Sequence, residues 1–253
     1  MYSQEKIRQL QKLTITLLKK GDTAYFNKNE IEELRSVLRF HEYRYYVLND
    51  PLISDYEYDQ LFKALEKIEK ENPSLITKDS PTQRVAKGLT KDFPTVQHMV
   101  PMLSLDNSYN SDDLTDFDRK AKELSGLSEI EYCVEPKFDG GSISIIYEND
   151  FLTRAATRGD GVEGDEVTTN IKQIRSIPLS ARFSDYGLQQ IEIRGEVLIN
   201  KKNFAKYNEQ LVEQGLAPFA NPRNAASGTL RIKDPVEAAK RNLEAFVYHV
   251  SYY

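Results

Sequence analysis

The apolar residues near the N-terminus recur with the period of a helix. Between residues 29 and 50, one set is spaced at intervals of three and four positions, which predicts a single helix face. This set consists of Ile31, Leu34, Leu38, His41 and Tyr45. Asn29 with Glu32 has the spacing of a capping box at the start of this helix, and Asn49-Asp50-Pro51 predicts its end.

A second helix is predicted directly after this break. Ser54 with Glu57 repeats the capping-box pattern, and Asn72-Pro73 predicts the end of the helix. Its apolar face consists of Leu61, Leu65 and Ile68. We therefore expect residues 1 to about 75 to form a compact helical module.

From about Glu131 the pattern changes to the one typical of strands. Residues 142–152 combine an isoleucine-rich run, a tight turn at Glu148-Asn149-Asp150 and a resumed apolar pattern, so a hairpin is predicted. Residues 190–199 alternate between apolar and polar, as a half-buried strand does, and residues 245–253 alternate again. The C-terminal half of the chain is thus expected to contain a mostly antiparallel sheet.

The remaining segments complete the predicted organisation. Residues 203–215 and 235–242 have helical patterns, and the proline-containing segment 76–110 is predicted to connect the two halves. The strand pattern of residues 245–253 runs to the last residue with no polar tail. We therefore expect the chain to be cut within a strand.

Composition narrows the class of protein. The 253 residues are 40% hydrophobic, which is enough for a sizeable core, and the apolar runs are far shorter than the roughly 20 residues of a membrane span. The N-terminus lacks the features of a secretory signal. A single cysteine, Cys133, excludes an intramolecular disulfide or a multi-cysteine zinc site within this sequence. We expect a soluble, cytoplasmic, monomeric protein without a membrane partner.

The charge balance argues against independent DNA binding. With 34 basic and 39 acidic residues, the formal net charge is −5, whereas a chain that grips duplex DNA on its own usually has a basic excess. If DNA is a partner, we expect the main grip to come from elsewhere or from a local basic patch.

The segment Glu135-Pro136-Lys137-Phe138-Asp139-Gly140-Gly141 is the sharpest chemical motif. It places a lysine after a predicted strand and before two glycines that allow a ligand to approach the backbone. Taken alone, it also fits a surface lysine beside a turn. Three further motifs follow it in order: Arg158-Gly159-Asp160-Gly161, Arg194-Gly195-Glu196 and Asn221-Pro222-Arg223-Asn224-Ala225-Ala226-Ser227-Gly228.

In this order the motifs resemble the adenylation domain of bacterial NAD-dependent DNA ligases. The resemblance extends from about residue 30 and includes Ser80-Pro81-Thr82-Gln83-Arg84-Val85 and Pro101-Met102-Leu103-Ser104-Leu105-Asp106-Asn107. It implies an α+β fold, with a helical module at residues 1–75 and a nucleotidyltransferase (ATP-grasp-like) domain of antiparallel sheets with flanking helices at residues 76–253. The second domain is expected to be incomplete at its C-terminus.

The resemblance also implies an adenylation site. Lys137 is the expected catalytic residue, which attacks the α-phosphate of NAD, releases nicotinamide mononucleotide (NMN) and carries AMP as a phosphoramidate. An unperturbed lysine is neutral in only about 1 in 2,500 molecules at pH 7, so nearby cations and a bound Mg²⁺ are expected to assist. The implied nucleotide contacts are Ser104 and Leu105 in the connector, Glu135 at adenine, Arg158 at the nucleotide, Glu196 at ribose and Tyr248 stacked on adenine.

Glu196 and Tyr248 have simpler interpretations that stay open from sequence. Glu196 could be an outward-facing residue on an amphipathic strand, and Tyr248 could serve ordinary strand packing.

A second constellation lies in the helical module. Asp55, Tyr58 and Asp59 share one helix face, where carboxylates and a ring suit a nicotinamide nucleotide. Core packing and an acidic first turn are the alternative interpretation. The resemblance favours the ligand, because NAD-dependent ligases carry this pattern as their NMN clamp. The resemblance also adds Tyr45 and Tyr46 to this clamp. Some members of the family have histidine at the position of Tyr46.

Several parts of the family pattern are not found within the 253 residues. These are an Asp-Gly-x-Val-x-Lys strand, a further lysine motif, an OB-fold, a four-cysteine zinc finger, helix-hairpin-helix repeats and a BRCT domain. We therefore expect a ligase fragment that binds NAD but is weak or inactive in sealing nicked double-stranded DNA. Two alternatives stay open: an ATP-dependent polynucleotide ligase or capping-type nucleotidyltransferase, and a non-catalytic NAD-binding module.

Overall fold

The computed structural model describes residues 2–20, 26–48, 50–84 and 92–253. Asn49 of the predicted helix break and Val85 of the Ser80–Val85 motif lie outside these ranges. The described part is an α+β structure, as expected: three helices form the N-terminal module, and two antiparallel sheets with flanking helices follow.

The N-terminal helices α1 (Gln4–Lys20), α2 (Lys28–Glu42) and α3 (Asp55–Glu71) pack around one apolar core. Each helix has an apolar face on one side and charged residues on the other, so packing the three faces together removes them from water. The most completely buried side chains are Leu10, Leu34, Leu38, Phe40 and Leu65. We refer to α1–α3 as the helical module.

The start of α2 differs from the sequence prediction. The capping box uses Asn27 and Glu30, not Asn29 and Glu32: the Asn27 side chain accepts from the Glu30 backbone N–H, and Glu30 accepts from the Asn27 N–H. Both pairs have the same Asn-x-x-Glu spacing and overlap in sequence. Phe26, which precedes the cap and is buried with the core, favours the earlier pair, as in a hydrophobic staple.

The break between α2 and α3 is confirmed at its C-terminal side. The α2 helix continues for one π-helical turn, Tyr43–Val47, in which the Leu48 N–H donates to the Tyr43 carbonyl over 3.1 Å. The predicted capping box of Ser54 and Glu57 then begins α3. Such π turns widen a helix locally and are frequent at functional sites.

The main sheet has four antiparallel strands: β2 (Gly141–Glu148), β3 (Phe151–Thr157), β5 (Gln190–Leu198) and β6 (Glu244–Tyr252). Their order across the sheet is β3-β2-β5-β6. The predicted hairpin joins β2 to β3 through Asn149 and Asp150, whose φ angles of 49° and 73° are those that a tight right-twisting hairpin turn requires. The alternating patterns at 190–199 and 245–253 are confirmed as central and edge strands.

A smaller sheet and five helices complete the second half. β1 (Thr95–Gln97) pairs with β4 (Glu163–Asp165). The helices are α4 (Ser111–Ser125), α5 (Thr168–Ile171), α6 (Lys201–Glu213), α7 (Pro222–Leu230) and α8 (Pro235–Lys240). We refer to the part from β1 onward as the sheet domain.

The sheet domain differs from the sequence prediction at one strand and contains elements that were not predicted. The strand expected from Glu131 begins only at Gly141, and residues 131–139 have no regular structure. The connector contains strand β1, and α4 had no predicted counterpart. The Asn221–Gly228 motif begins a helix, α7, which Asn221 caps by accepting from the Asn224 N–H. Short strands and motif-like segments lack the long periodicity that sequence reading requires.

The central strand β5 separates the core from a polar face. Its apolar residues Ile191 and Val197 pack in the core of the sheet domain. The alternate residues Glu192, Arg194 and Glu196 lie on the opposite face and are also buried. Because neighbouring strands carry side chains in register, β2 brings Ser144 opposite Arg194 and Ser142 opposite Glu196.

Within the described ranges, no helix combines the length and the apolar character that crossing a bilayer requires.

Candidate functional site

A pocket lies in the helical module between the π turn and the start of α3. Its volume is about 280 Å³, and all of its lining comes from residues 41–59. The five residues predicted as the clamp are all in this lining: Tyr45, Tyr46, Asp55, Tyr58 and Asp59. The capping box at Ser54 fixes where α3 starts and thereby directs three of them to the pocket.

Tyr45 and Tyr46 form the aromatic edge of the pocket. Their ring centroids are 4.8 Å apart, the rings are tilted by 58°, and both side chains are exposed. Partial burial nevertheless raises the pKa of Tyr46, and the nearby Arg175 guanidinium partly opposes this. The Arg175 guanidinium carbon lies 5.6 Å from the centre of the Tyr46 ring, within the range of a cation–π contact.

Tyr58 is held more firmly than the other two rings. Its hydroxyl donates to Glu42 Oε1 over 3.1 Å, and its ring stacks with Phe62 at 6.2 Å. Burial raises the pKa of Tyr58 far above its ordinary value, and the Glu42 carboxylate raises it further. The hydroxyl therefore stays protonated and can keep donating to Glu42.

His41 and Glu42 also line the pocket but were not predicted as site residues. The Thr14 hydroxyl, from α1, donates to the Leu10 carbonyl over 2.8 Å, so its oxygen is free to accept from His41 Nε2 at 3.0 Å. Burial lowers the pKa of His41 to about 4, which keeps the ring neutral near pH 7. From sequence, His41 was predicted only as part of the apolar face of α2, and no pattern singled out Glu42.

The second candidate site surrounds the Lys137 segment of the sheet domain. Lys137 and Glu135 are exposed, and Lys137 has no hydrogen bond or ion pair with any described residue. The segment is anchored three residues later, where the Gly140 N–H donates to Glu196 Oε1 over 3.0 Å. A Cβ atom at Gly140 would come within 2.0 Å of the Val197 carbonyl oxygen, so this close approach requires glycine.

Glu196 is the centre of this second site. It is only 8% exposed, and its other oxygen accepts from the Ser142 hydroxyl over 2.7 Å. It is therefore not the outward, solvated residue that an amphipathic strand would allow. Each carboxylate oxygen retains a further lone pair that can accept a ligand hydroxyl.

Arg158 and Tyr248 lie beside Glu196, at the end of β3 and on β6. The Arg158 backbone N–H donates to the Ser142 carbonyl over 3.2 Å, which places the arginine next to β2. The pKa of Tyr248 is raised by burial and by the Glu196 carboxylate, and the charges of Arg194 and Arg158 lower it. The ring of Tyr248 is half exposed on the edge strand.

Two aromatic rings tie the Lys137 segment to the same edge strand. Phe138 and Phe246 stack with centroids 4.5 Å apart and an interplanar angle of 20°. Because Phe138 follows Lys137 directly, this stack places the lysine backbone over β6.

Ser104 and Leu105 are not brought into contact with Glu196 in the described part of the structure. Both are exposed, Leu105 by 76%. The connector is attached just before them, where the Met102 N–H donates to the Gly161 carbonyl over 2.7 Å and Arg194 donates to the Pro101 carbonyl over 3.1 Å. These contacts bring the connector to the polar face of the sheet.

Sequence reasoning also missed residues around Lys137. Ser142 shares Glu196 with Gly140, and Asp139 forms a 3.2 Å ion pair with Arg223. Arg223 belongs to the Asn-Pro-Arg-Asn motif. Its charge within a motif that had already been noticed was the one sequence signal that could have indicated this residue. No group of three or more His, Cys, Asp and Glu side chains in the described ranges could hold a metal ion.

Comparison with known proteins assigns each half to a family. Residues 90–253 match the model described as the NAD-dependent DNA ligase adenylation domain. Residues 24–86 match the model described as the DNA ligase-like, N-terminal NAD⁺-binding domain.

Relatives named DNA ligase share high identity with the chain. The one from Sulfurihydrogenibium sp. (strain YO3AOP1) is 60% identical over 255 residues, and the one from Aquifex aeolicus is 54% identical over 257 residues; both alignments cover 100% of this chain and 36% of the relative. The one from Persephonella marina is 62% identical over 222 residues, which cover 88% of this chain and 31% of the relative. The chain thus spans about a third of the length of these relatives.

Proposed function

The chain belongs to the NAD-dependent DNA ligase family, and on that premise we propose that it carries the step in which such a ligase takes AMP from NAD onto a lysine. The observation that carries this proposal is the pocket of the helical module. It combines three tyrosine rings with the carboxylates of Asp55 and Asp59, a combination that suits a flat, positively charged nicotinamide ring and its ribose hydroxyls.

Lys137 is the proposed nucleophile. Its Nζ forms a bond to the adenylyl phosphorus of NAD, and the bond from that phosphorus to the bridging oxygen breaks. NMN departs with the bonding electron pair, and the amine loses a proton to solvent or to a neighbouring base. The product is a phosphoramidate between Lys137 and AMP.

The sheet domain is proposed to hold the adenosine half of NAD. Glu196 can accept from a ribose hydroxyl without giving up Gly140 or Ser142. Tyr248 offers a half-exposed ring for stacking, and Arg158 offers positive charge. Glu135, proposed at adenine, and the connector residues Ser104 and Leu105 are exposed and are proposed to close on the nucleotide when it binds.

The proposal extends to partners and organisation. We place the division between an NMN-binding domain and an adenylation domain at residues 75 and 76. Mg²⁺ is proposed as a cofactor, bound largely by the nucleotide. The full reaction would pass AMP to the 5′-phosphate of nicked duplex DNA. We propose that the protein acts as a monomer in the bacterial cytoplasm.

The test is the choice of nucleotide. The chain is incubated with Mg²⁺ and either NAD or ATP, and its intact mass is measured over time. We expect a mass gain of one adenylate group with NAD and little with ATP. The adduct should disappear in Lys137→Ala and persist in Lys202→Ala, which changes an exposed lysine on α6.

Two other results would favour the alternatives. An adduct formed equally well from ATP would support a general polynucleotide ligase or capping-type enzyme. Binding of NAD without any adduct at Lys137 would support a non-catalytic nucleotide-binding module.

A further inference from the structure

A buried carboxylate joins the module pocket to the sheet domain. Glu42 is 4% exposed, and its Oε1 accepts from the Tyr58 hydroxyl at 3.1 Å and from Arg175 Nη1 at 2.7 Å. Its Oε2 lies 3.4 Å from Arg84 Nε. One side chain at the end of α2 therefore contacts a pocket ring, the connector and the sheet domain.

Arg175 reaches the pocket by two routes. It comes from the loop after α5 in the sheet domain, bonds Glu42, and also lies over the Tyr46 ring at 5.6 Å. Two of the three pocket tyrosines thus depend on one arginine that the helical module does not supply. The pKa of Arg175 is raised by Glu42 against the effect of burial, so the guanidinium stays charged.

Arg84 holds the same carboxylate in a different way. Its guanidinium donates to the Lys172 carbonyl over 3.0 Å and to the Ile177 carbonyl over 2.9 Å, both in the loop that carries Arg175. Arg84 is buried, whereas the side chain of Arg175 is 32% exposed. Removing Arg175 therefore leaves Glu42 paired with a buried arginine, which avoids the large cost of an unpaired buried charge.

We propose that Arg175, acting through Glu42, is a positioning residue of the NMN pocket. Arg175 sets the direction of the Glu42 carboxylate and with it the Tyr58 hydroxyl, and it supports the Tyr46 ring directly. The NMN pocket is then complete only when the helical module and the sheet domain are docked as in this structure. This inference rests on the proposed function, which assigns NMN to the pocket.

The first test compares two links between the helical module and the sheet domain, one direct and one through the connector. Arg175→Ala removes the direct contact, which reaches the pocket. Ser180→Ala removes a link through the connector, in which the Ser180 hydroxyl donates to Asp79 Oδ2 over 3.0 Å while Asp79 pairs with Arg39 of α2. NMN and AMP affinities are measured by calorimetry on the whole chain. We expect Arg175→Ala to weaken NMN binding roughly fivefold to twentyfold and Ser180→Ala to leave it nearly unchanged. AMP binding should stay the same in both.

The second test asks whether Arg175 acts through Glu42 and Tyr58. Tyr58→Phe keeps the ring but removes the hydroxyl that bonds Glu42. If the three residues act as a unit, Arg175→Ala should cost less NMN affinity in the Tyr58→Phe background than in the wild type. Arg175→Lys should recover part of the affinity, because it restores a charge beside Glu42 but not the flat group over Tyr46.

The outcomes separate this inference from the proposed function. Equal losses in Arg175→Ala and Ser180→Ala would mean that docking in general matters, and would overturn the role of Arg175. Full additivity with Tyr58→Phe, or no loss in Arg175→Ala, would do the same while leaving the NMN assignment intact. Failure of the wild-type chain to bind NMN would refute that assignment, and this inference with it.

Discussion

The two candidate sites differ in how far apart along the chain their residues lie. The proposed NMN pocket is lined entirely by residues 41–59, which form a helix end, a π turn and a helix start. The adenylation site draws on Lys137, Arg158, Glu196 and Tyr248, which only the pairing of β2, β3, β5 and β6 brings together.

Burial follows the same division. In the NMN pocket, His41 and Glu42 are buried and Tyr58 is bonded to Glu42. In the adenylation site only Glu196 has this degree of burial, while Lys137 is exposed. The sheet therefore holds the side chains on its strands in place, whereas the side chains on its loops stay exposed.

The difference has a consequence for binding. A pocket lined by helix ends, with Tyr58 already bonded to Glu42, loses little conformational freedom when a ligand enters, whereas exposed loop residues must be ordered at that moment. We therefore expect the NMN pocket to be preformed and the adenylation site to be completed by the nucleotide. Changes in one site should leave ligand binding at the other nearly intact.

The largest expected effect is the loss of adduct formation at Lys137 without a change in NMN binding. Lys137→Ala should abolish the covalent adduct, and Lys137→Arg should do so too, because a guanidinium is not available as a neutral nucleophile near pH 7. NMN affinity, measured by calorimetry, should not change in either variant. Peptide mapping should place AMP on Lys137 in the wild type as an acid-labile adduct. AMP on a different lysine would contradict the assignment.

Glu196 tests whether the sheet positions the Lys137 segment. Glu196→Gln removes the charge and one of the two acceptors that hold Gly140 and Ser142, so the rate of adduct formation should fall about 10- to 100-fold. The matched control is Glu192→Gln on the same strand and face, where the partner is Ser144. An equal loss in the control would indicate a general weakening of β5 instead of a role at Lys137.

The NMN pocket should respond to Tyr58→Ala and Asp59→Ala. Each change removes a stacking surface or a charged acceptor, so NMN or NAD binding should weaken by about 1–3 kcal/mol. AMP binding should barely change. Glu66→Ala, which alters an exposed carboxylate farther along α3, serves as the control. Calorimetry that gave equal losses for NMN and AMP would contradict the separation into two sites.

The sequence predicted the local pocket better than the long-range one. Its five clamp residues all line one cavity, because helix spacing and a capping box are local rules that can be read from a few residues. The strands at 142–152, 190–199 and 245–253 were also readable from their alternation. Motif order alone could not reveal that Gly140 and Ser142 share Glu196.

The errors have physical causes. Asn27 and Asn29 both precede a glutamate at the capping distance, and only the burial of Phe26 distinguishes them. Residues 131–139 have the composition of a strand but have no partner strand among the described residues. The role of Glu42 depends on Arg175, which is distant in sequence, and no local pattern could indicate that contact.

Acid should destabilise the helical module through His41. The pKa of His41 in the folded protein, about 4, lies below the ordinary histidine value near 6.5, so between these values the unfolded chain binds the proton more readily. The contribution of neutral His41 to the free energy of unfolding is therefore complete above pH 6.5 and is lost as the pH falls toward 4. After allowance for solvent screening it amounts to roughly 2 kcal/mol.

Urea unfolding at pH 7 and pH 5 measures this loss. His41→Gln keeps an N–H that can reach Thr14 but cannot be protonated, so its stability should fall less between the two pH values than that of the wild type. The same pH dependence in both proteins would exclude His41 as the cause, and other acidic groups would have to account for the loss.

The smallest expected effect concerns helix α1, which ends at Lys20, before the family match for the N-terminal domain begins at residue 24. Its Thr14 hydroxyl oxygen lies 3.0 Å from His41 Nε2, directly behind the pocket. Thr14→Val preserves the shape of the side chain but leaves this buried ring nitrogen without its hydrogen-bond partner, so stability should fall by about 1 kcal/mol. If α1 supports the pocket through His41, NMN affinity should also fall, by roughly twofold to fivefold. Thr14→Ser keeps the hydroxyl and should retain the affinity even though it loses a methyl group.

A loss of stability without a loss of NMN affinity in Thr14→Val would show that α1 stabilises the module but takes no part in the pocket. The pocket would then depend on residues 41–59 alone.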